Sequence, residues 1–466
     1  MGAGIMQLLF FGQQDIYLKS NPSITFFKKV FKTHSNFAME SIKIEFNKTD
    51  TNIYEKTTLK LKLPRHADLV SQMYFVFEMP EIISDNVLNF RWVENIGEAI
   101  IDNYYISIGG NIIDKQHGEY LHILNNLTFD AQKRDAFNRM SGNVIQLNNP
   151  ELYAQQTRNL SNPPLKYRIG NGYPVFTPFD PNNPNAYQPS IPTRKIYVPL
   201  TFWFNRDIGN ALPLISLQYS EVEITFELRP WAELYKLFYA KGSNYGYYAP
   251  NVYITSHQLH NFVSNVKRKF LVSETIIDCR CYVEANYIYL DETERQYFAY
   301  KPLDYLIDQV TRVERLRLQE TTVLDMVLQN PIKEMMWVLK RNDQNKDNSW
   351  FDYLDRTNRI LKTAKIMFNG VDRMDEKDEE YFNYLQPFQH HKGNPKEGLY
   401  VYSFAIFPDD FQPSGSVNAS RINKIQFYLS VNRPKEDNYA YDAVFYIVNY
   451  NFLRISSGLA GVVYSA

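Results

Sequence analysis

Few side chains in this 466-residue chain are spaced for chemistry. The two cysteines, Cys279 and Cys281, form a Cys-x-Cys pair. Two thiolates so placed could share a metal, but structural zinc takes four ligands and the chain has no further cysteine. On a strand, residues i and i+2 share a face, so the pair reads as two small semi-buried side chains. His390-His391 offers adjacent imidazoles, yet no third ligand stands at useful spacing, and Lys392-Gly393-Asn394-Pro395 beside it reads as a solvated loop. Asp372–Glu380 (DRMDEKDEE) holds six acids and two bases without the glycine-centred pattern of a calcium loop. It is expected as a solvated loop or helix start, with a contact to basic residues of another subunit as the alternative. Gly109-Gly110 and Asn369-Gly370 match neither G-x-G-x-x-G nor a P-loop and fit hairpin turns that need positive φ. Asn47, Asn126, Asn159 and Asn418 open N-x-[ST] triplets, which are common by chance. No Ser/His/Asp, Cys/His or paired-carboxylate set stands out, although such sets need not be local in sequence. The expectation is no catalytic, cofactor-binding or metal residue, and no enzyme.

Those residues sit in a chain built for sheets. Hydrophobic residues make up 44%, enough for sizeable cores, and aromatics reach 15%, a type that fits pleated half-buried surfaces. Net charge is −1, which argues against a general nucleic-acid binder and leaves little long-range self-repulsion. Locally, residues 1–70 carry ten Lys/Arg against six Asp/Glu. Two cysteines cannot staple a secreted fold, Leu8–Phe11 is too short for a signal sequence, and no run approaches a membrane helix, so a soluble protein made in a reducing compartment is expected. Ser41–Phe46, Thr58–Leu63 and Glu221–Leu228 alternate with period two, the mark of strands with one buried face. Met73–Met79 and Ala443–Val448 are apolar throughout and predict strands covered on both faces. Asp291–Tyr300 is the best helix, with Asp291 as cap; Gly118–Leu127 and Glu379–Leu385 are weaker. Asn149–Pro199 is rich in Pro, Asn and Tyr and predicts long but ordered loops.

The chain also repeats itself. Thr57-Thr58-Leu59 matches Thr321-Thr322-Val323, and Met73–Phe77 matches Met335–Leu339. Ile106–Gly110 matches Ile366–Gly370, and Glu119-Tyr120-Leu121 matches Glu380-Tyr381-Phe382. Asp15–Leu18 pairs with Tyr287–Leu290, and Tyr197–Leu200 with Tyr400–Ser403. Met73 to Met335 is 262 positions, Gly110 to Gly370 is 260 and Tyr120 to Tyr381 is 261. Constant order and spacing imply two copies of one β-domain, and three such chains would place six similar domains in a ring.

These residues resemble the double jelly-roll major capsid proteins of nucleocytoplasmic large DNA viruses. The match runs through Gln14–Leu18 with Asn21–Lys28 and His34–Phe37, Ile108–Asp114, Val198–Phe204 with Ala211–Tyr219, Phe368–Gly370 through Tyr381–Asn383 and Tyr400–Phe404 to Gln412–Gly415, and Asn449–Arg454 with Ser457-Gly458. Asn205 and Val417 stand where the resemblance leads one to expect Cys in many relatives. The resemblance implies an all-β chain of two tandem eight-stranded jelly-roll β-sandwiches with short helices and long loops. The expected layout is an arm over 1–25, a first jelly roll over 26–230 with its insertion at 149–199, a linker at 231–245 and a second jelly roll over 246–466.

The implied function is a major capsid protein that forms a homotrimeric pseudo-hexagonal capsomer of an icosahedral virion shell, assembled in the host cytoplasm. Expected partners are further copies of itself, minor capsid or cement and penton proteins, and indirectly an inner membrane, with no specific nucleic acid and surface glycans left open. No cofactor is expected. The alternatives are a minor capsid paralogue of the same fold, or a jelly-roll carbohydrate-binding or cupin-like protein, which would need clustered His that the eight scattered here do not supply. Residues 1–30, which mix Ile5–Phe11 with Lys19, Lys28 and Lys29, are expected as an arm tying the subunit to neighbours or inner-shell components.

Overall fold

The computed structural model describes the chain except residues 1–2, 85–87, 158–171, 175, 178–186, 240–245, 264–271 and 465–466. It divides into residues 1–37 and 38–466. The first unit holds two short helices, α1 (Ala3–Leu9) and α2 (Asp15–Lys19), neither with a buried residue. The arm is thus longer than the expected 1–25.

From Phe37 onward, period-two sequence becomes antiparallel sheet. β1 (Phe37–Glu45), β2 (Thr57–Lys62), β3 (Leu69–Met79), β4 (Ile101–Ile108), β5 (Asn111–His117), β6 (Arg194–Pro199), β7 (Val222–Leu228) and β8 (Tyr282–Leu290) build the first sandwich. One sheet runs β1-β8-β3-β6 and the other β2-β7-β4-β5. Alternate residues face inward: Leu59 and Leu61 of β2, Ile224 and Phe226 of β7, and Met73, Phe75 and Phe77 of β3 share one core. Phe75 and Phe226 stack across it with centroids 4.9 Å apart.

The second sandwich repeats the first strand for strand. β9 (Leu303–Arg315), β10 (Thr321–Met326), β11 (Pro331–Arg341), β12 (Leu361–Phe368), β13 (Val371–Asp372), β14 (Leu399–Ser403), β15 (Ile425–Val431) and β16 (Tyr441–Ser456) form sheets β9-β16-β11-β14 and β10-β15-β12-β13. Trp337 of β11, fully buried, centres this core against Phe382 and Phe427 at 5.0 and 4.9 Å. Phe75 pairs with Val283 and Val198 as Trp337 pairs with Phe445 and Tyr400, so Val198 rather than Tyr197 occupies the place of Tyr400. The fold is the expected double jelly roll.

Three expectations need correction. The first domain does not end near 231–245. Trp231, Leu234 and Leu237 lie in its core, Tyr235–Tyr239 pairs with Leu88–Trp92, and β8 fills the gap between β1 and β3. The eighth strand of the sandwich therefore returns after the excursion 229–281; residues 240–245 of the expected linker lie outside the described ones. Second, Asp15–Leu18 and Tyr287–Leu290 are not equivalent, since one is helix in the arm and the other the end of β8. Third, Asn149–Pro199 is not all loop. It holds a helix at Pro150–Thr157 and strand β6, whose closing Pro199 is tolerated because β6 is a sheet edge. Asn162-Pro163-Pro164, Tyr167 and Phe179 of that stretch lie outside the described residues. Of its aromatics, Tyr173 is buried and its hydroxyl donates to the Phe90 carbonyl at 2.7 Å.

Candidate assembly surfaces

Among the described residues, the joint between the two sandwiches is a well-defined contact surface. After β5 the backbone turns into a helix, α3 (Gly118–Thr128). Only glycine fits at its start, because a Cβ on residue 118 would lie 2.1 Å from the Ile101 carbonyl oxygen and 2.4 Å from that of Glu98. Leu121 points into the first core. Tyr120, Ile123, Leu124 and Leu127, spaced i, i+3, i+4, i+7, form a stripe on another face. They pack on the outer surface of the second domain's sheet, on Met336 and Val338 of β11, Val401 of β14, and Val444 and Tyr446 of β16. This explains why Ala443–Val448 is apolar throughout: Ala443, Phe445 and Ile447 face the second core, while Val444, Tyr446 and Val448 face α3.

Charges pin the same joint. Glu119 pairs with Lys340 at 3.1 Å and accepts from the Tyr446 hydroxyl at 2.8 Å. Burial pushes its carboxyl up, but Lys340 and the Tyr446 hydroxyl hold it below the usual carboxylate value. Glu98 accepts from Asn125 at 2.9 Å and lies 2.6 Å from Nδ1 of His122, whose ring stacks on Phe351. Nearby, Asp308 of β9 binds Arg206 of the first domain at 3.0 Å and Lys333 at 3.1 Å. Asp114 accepts from the Val310 amide at 3.3 Å across the joint, and burial pushes its carboxyl up to about 7.

His391 belongs to this knot and is not in a solvated loop. Its side chain is fully buried, with Nδ1 2.9 Å from Asp409 and Nε2 3.2 Å from Glu334. Burial favours the neutral ring, but the Asp409 and Glu334 carboxylates outweigh it and push His391 up to about 9. It is a structural cation. His390 lies nearer the surface, 3.0 Å from the Ile406 carbonyl oxygen.

The remaining residues of interest hold turns and packing. Gly109 and Gly110 have φ of 59° and 85°, Asn369 and Gly370 52° and 82°, and each pair closes a hairpin. Cys279 and Cys281 are buried, but at a break between strands where Arg280 has φ of 46°, not on a strand. The hydrogen bond between the thiols and their burial push Cys281 up, away from the thiolate a metal needs. Among the described residues no group of three or more His, Cys, Asp or Glu is arranged to hold a metal ion. Asp372–Glu380 is largely exposed, but Glu379 is buried against Arg359. Asn126 is buried and donates to the His122 carbonyl at 2.8 Å, so it cannot carry sugar in the folded chain. Asn47 and Asn418 are exposed, and Asn159 lies outside the described residues. Asn205 donates to the Ser71 carbonyl at 2.9 Å, the task of a polar amide rather than a thiol.

The arm presents the opposite situation. Tyr17, Phe26, Phe27 and Phe31 are 93%, 90%, 98% and 85% exposed, and Lys28, Lys29 and Lys32 lie among them. Helices of seven and five residues are too short to persist alone, and so much exposed aromatic surface is what interaction segments carry.

The comparisons with known proteins agree with this geometry. Residues 25–291 match the family model "Major capsid protein N-terminus", and residues 294–461 match "Large eukaryotic DNA virus major capsid protein". Their junction falls just after β8, where the sheets also divide. The chain is 31% identical to the major capsid protein of Pyramimonas orientalis virus and 30% identical to that of Phaeocystis pouchetii virus, each over all of both chains. PBCV-1 VP54 shares the fold at a TM-score of 0.68 and 23% identity, over 95% of this chain and 100% of that one. The Faustovirus major capsid protein does so at 0.66 and 14%, over 97% and 96%. The chain belongs to the major capsid proteins of large eukaryotic DNA viruses, structural proteins of the virion shell and not enzymes.

Proposed function

We propose that three copies of the chain close into a pseudo-hexagonal capsomer, and that such capsomers tile an icosahedral virion shell built in the host cytoplasm. The observation that carries this is the strand-for-strand duplication of one sandwich, joined through a helix-on-sheet contact. A closed threefold of a two-domain chain places six near-identical domains around one axis, and a hexagonal tile needs six similar sides. The arm, with its aromatic and basic side chains, supplies adhesion to neighbouring capsomers, to minor capsid, cement or penton proteins, or to components beneath the shell.

The test compares the full chain with a truncation lacking residues 1–14. Native mass spectrometry of both is expected to give a species of three times 54.9 kDa, less the deleted residues in the truncation. Only the full chain is expected to form closed shells. A monomeric full chain, or closed shells from the truncation, contradicts this reading.

A further inference from the structure

The row that α3 lays on the second domain has a counterpart on the second domain itself. By the 261-position offset, Tyr120, Ile123, Leu124 and Leu127 correspond to Tyr381, Tyr384, Leu385 and Phe388. The counterpart runs through a π-helical turn, Tyr381–Leu385, into a helix, Gln386–His390. In both helices the next residue anchors the element in its own core, Leu121 in the first and Phe382 in the second. The i, i+3, i+4, i+7 spacing is the same, and all four positions are again apolar or aromatic. Yet the first row is buried, whereas Tyr384, Leu385 and Phe388 are 39%, 43% and 85% exposed. They line an open groove of about 640 Å³ with Pro387 and Pro395.

The receiving face has a counterpart too. Matching strand registers place Tyr74 where Met336 stands, Val76 at Val338, Tyr197 at Leu399, Tyr282 at Val444 and Glu284 at Tyr446. In the second domain that face lies under α3. In the first domain Val76 is buried but Tyr74, Tyr197 and Tyr282 around it are partly exposed, although Met73–Met79 has the composition of a strand covered on both sides. Tyrosine suits a face that is wet in the free chain and dry in an assembly, since its ring packs while its hydroxyl stays hydrogen-bonded. Lys195, 3.2 Å from the Tyr282 hydroxyl, offers a cation to Asp378 and Glu380 at the rim of the groove.

We infer that Tyr381, Tyr384, Leu385 and Phe388 of one copy dock on the Tyr74–Tyr197–Tyr282 face of a second copy, repeating between chains the seat that α3 occupies within one. The occupant is a copy of this chain because the covered and uncovered surfaces are the two halves of one duplicated contact. The inference rests on the trimer reading and specifies which surfaces close it. Head-to-tail repetition of a single contact then runs around the ring, alternately within and between chains.

The test uses the full chain. Phe388→Asp is expected to shift the native mass from trimer to monomer with unchanged far-UV circular dichroism, because Phe388 packs on little in the isolated chain. In parallel, p-benzoylphenylalanine at position 388 is expected, on irradiation, to cross-link to a peptide of another copy containing residues 69–79, 194–199 or 282–290. A trimeric wild type with a trimeric Phe388→Asp variant, or with cross-links elsewhere, overturns this interface and leaves the trimer standing. A monomeric wild type overturns both.

Discussion

At the residue scale, the joint depends on charges that burial alone would expel. His391 is held as a cation by Asp409 and Glu334, with Lys333, Asp308 and Arg206 in the same knot. Its folded pKa is raised from 6.5 to about 9, so its stabilising contribution is complete below pH 6.5 and is lost as pH rises through about 9. A shift of that size corresponds to roughly 3 kcal/mol. Urea unfolding of the wild type is therefore expected to weaken between pH 6.5 and 9, and that of His391→Gln to start lower and lose less over the same window. Equal slopes in the two proteins would contradict the assignment. Asp114 adds a slope of the same sign at lower pH, since a carboxyl raised from 3.8 to about 7 stabilises below 3.8 and ceases to do so as pH passes 7. The difference between wild type and His391→Gln removes that background.

At the element scale, α3 acts as a tenon between the two sandwiches. Leu127 is fully buried within the contact that Val338, Val401 and Val444 complete. Leu127→Ala is expected to destabilise the chain by about 2–5 kcal/mol, the range for deleting a buried leucine, read as a lower urea midpoint. An unchanged midpoint would mean that the two domains do not stabilise each other. The strands themselves were legible in the sequence, because alternation and the 262-position repeat report burial directly. The helix at Gly118 was legible only as a weaker candidate, whereas α4 (Glu292–Tyr300) was legible through its cap, where Asp291 accepts from the Glu294 amide at 2.9 Å. The domain boundary was not, because β8 completes the first sandwich from beyond a long excursion, and strand order is set by pairing rather than by local pattern. The burial of His391 was also hidden, since Glu334 reaches it from β11 and Asp409 from a separate loop. A helix at Ala131–Ser141, capped by Asp130 on the Lys133 amide at 2.8 Å, carried its signal in the cap while its polar composition masked it.

At the scale of the whole molecule, one sandwich has been used twice, and the same helix-on-sheet contact is satisfied once inside the chain and left open once at its surface. That arithmetic of surfaces favours a closed ring over an isolated chain. The duplication also explains why near-zero net charge is tolerable, since copies that must pack closely gain nothing from mutual repulsion. Electron cryomicroscopy of the purified oligomer tests the account most directly. The expected image is a threefold particle with six similar lobes on a hexagonal outline; a twofold particle, or three lobes of one kind set apart from three of another, would contradict it.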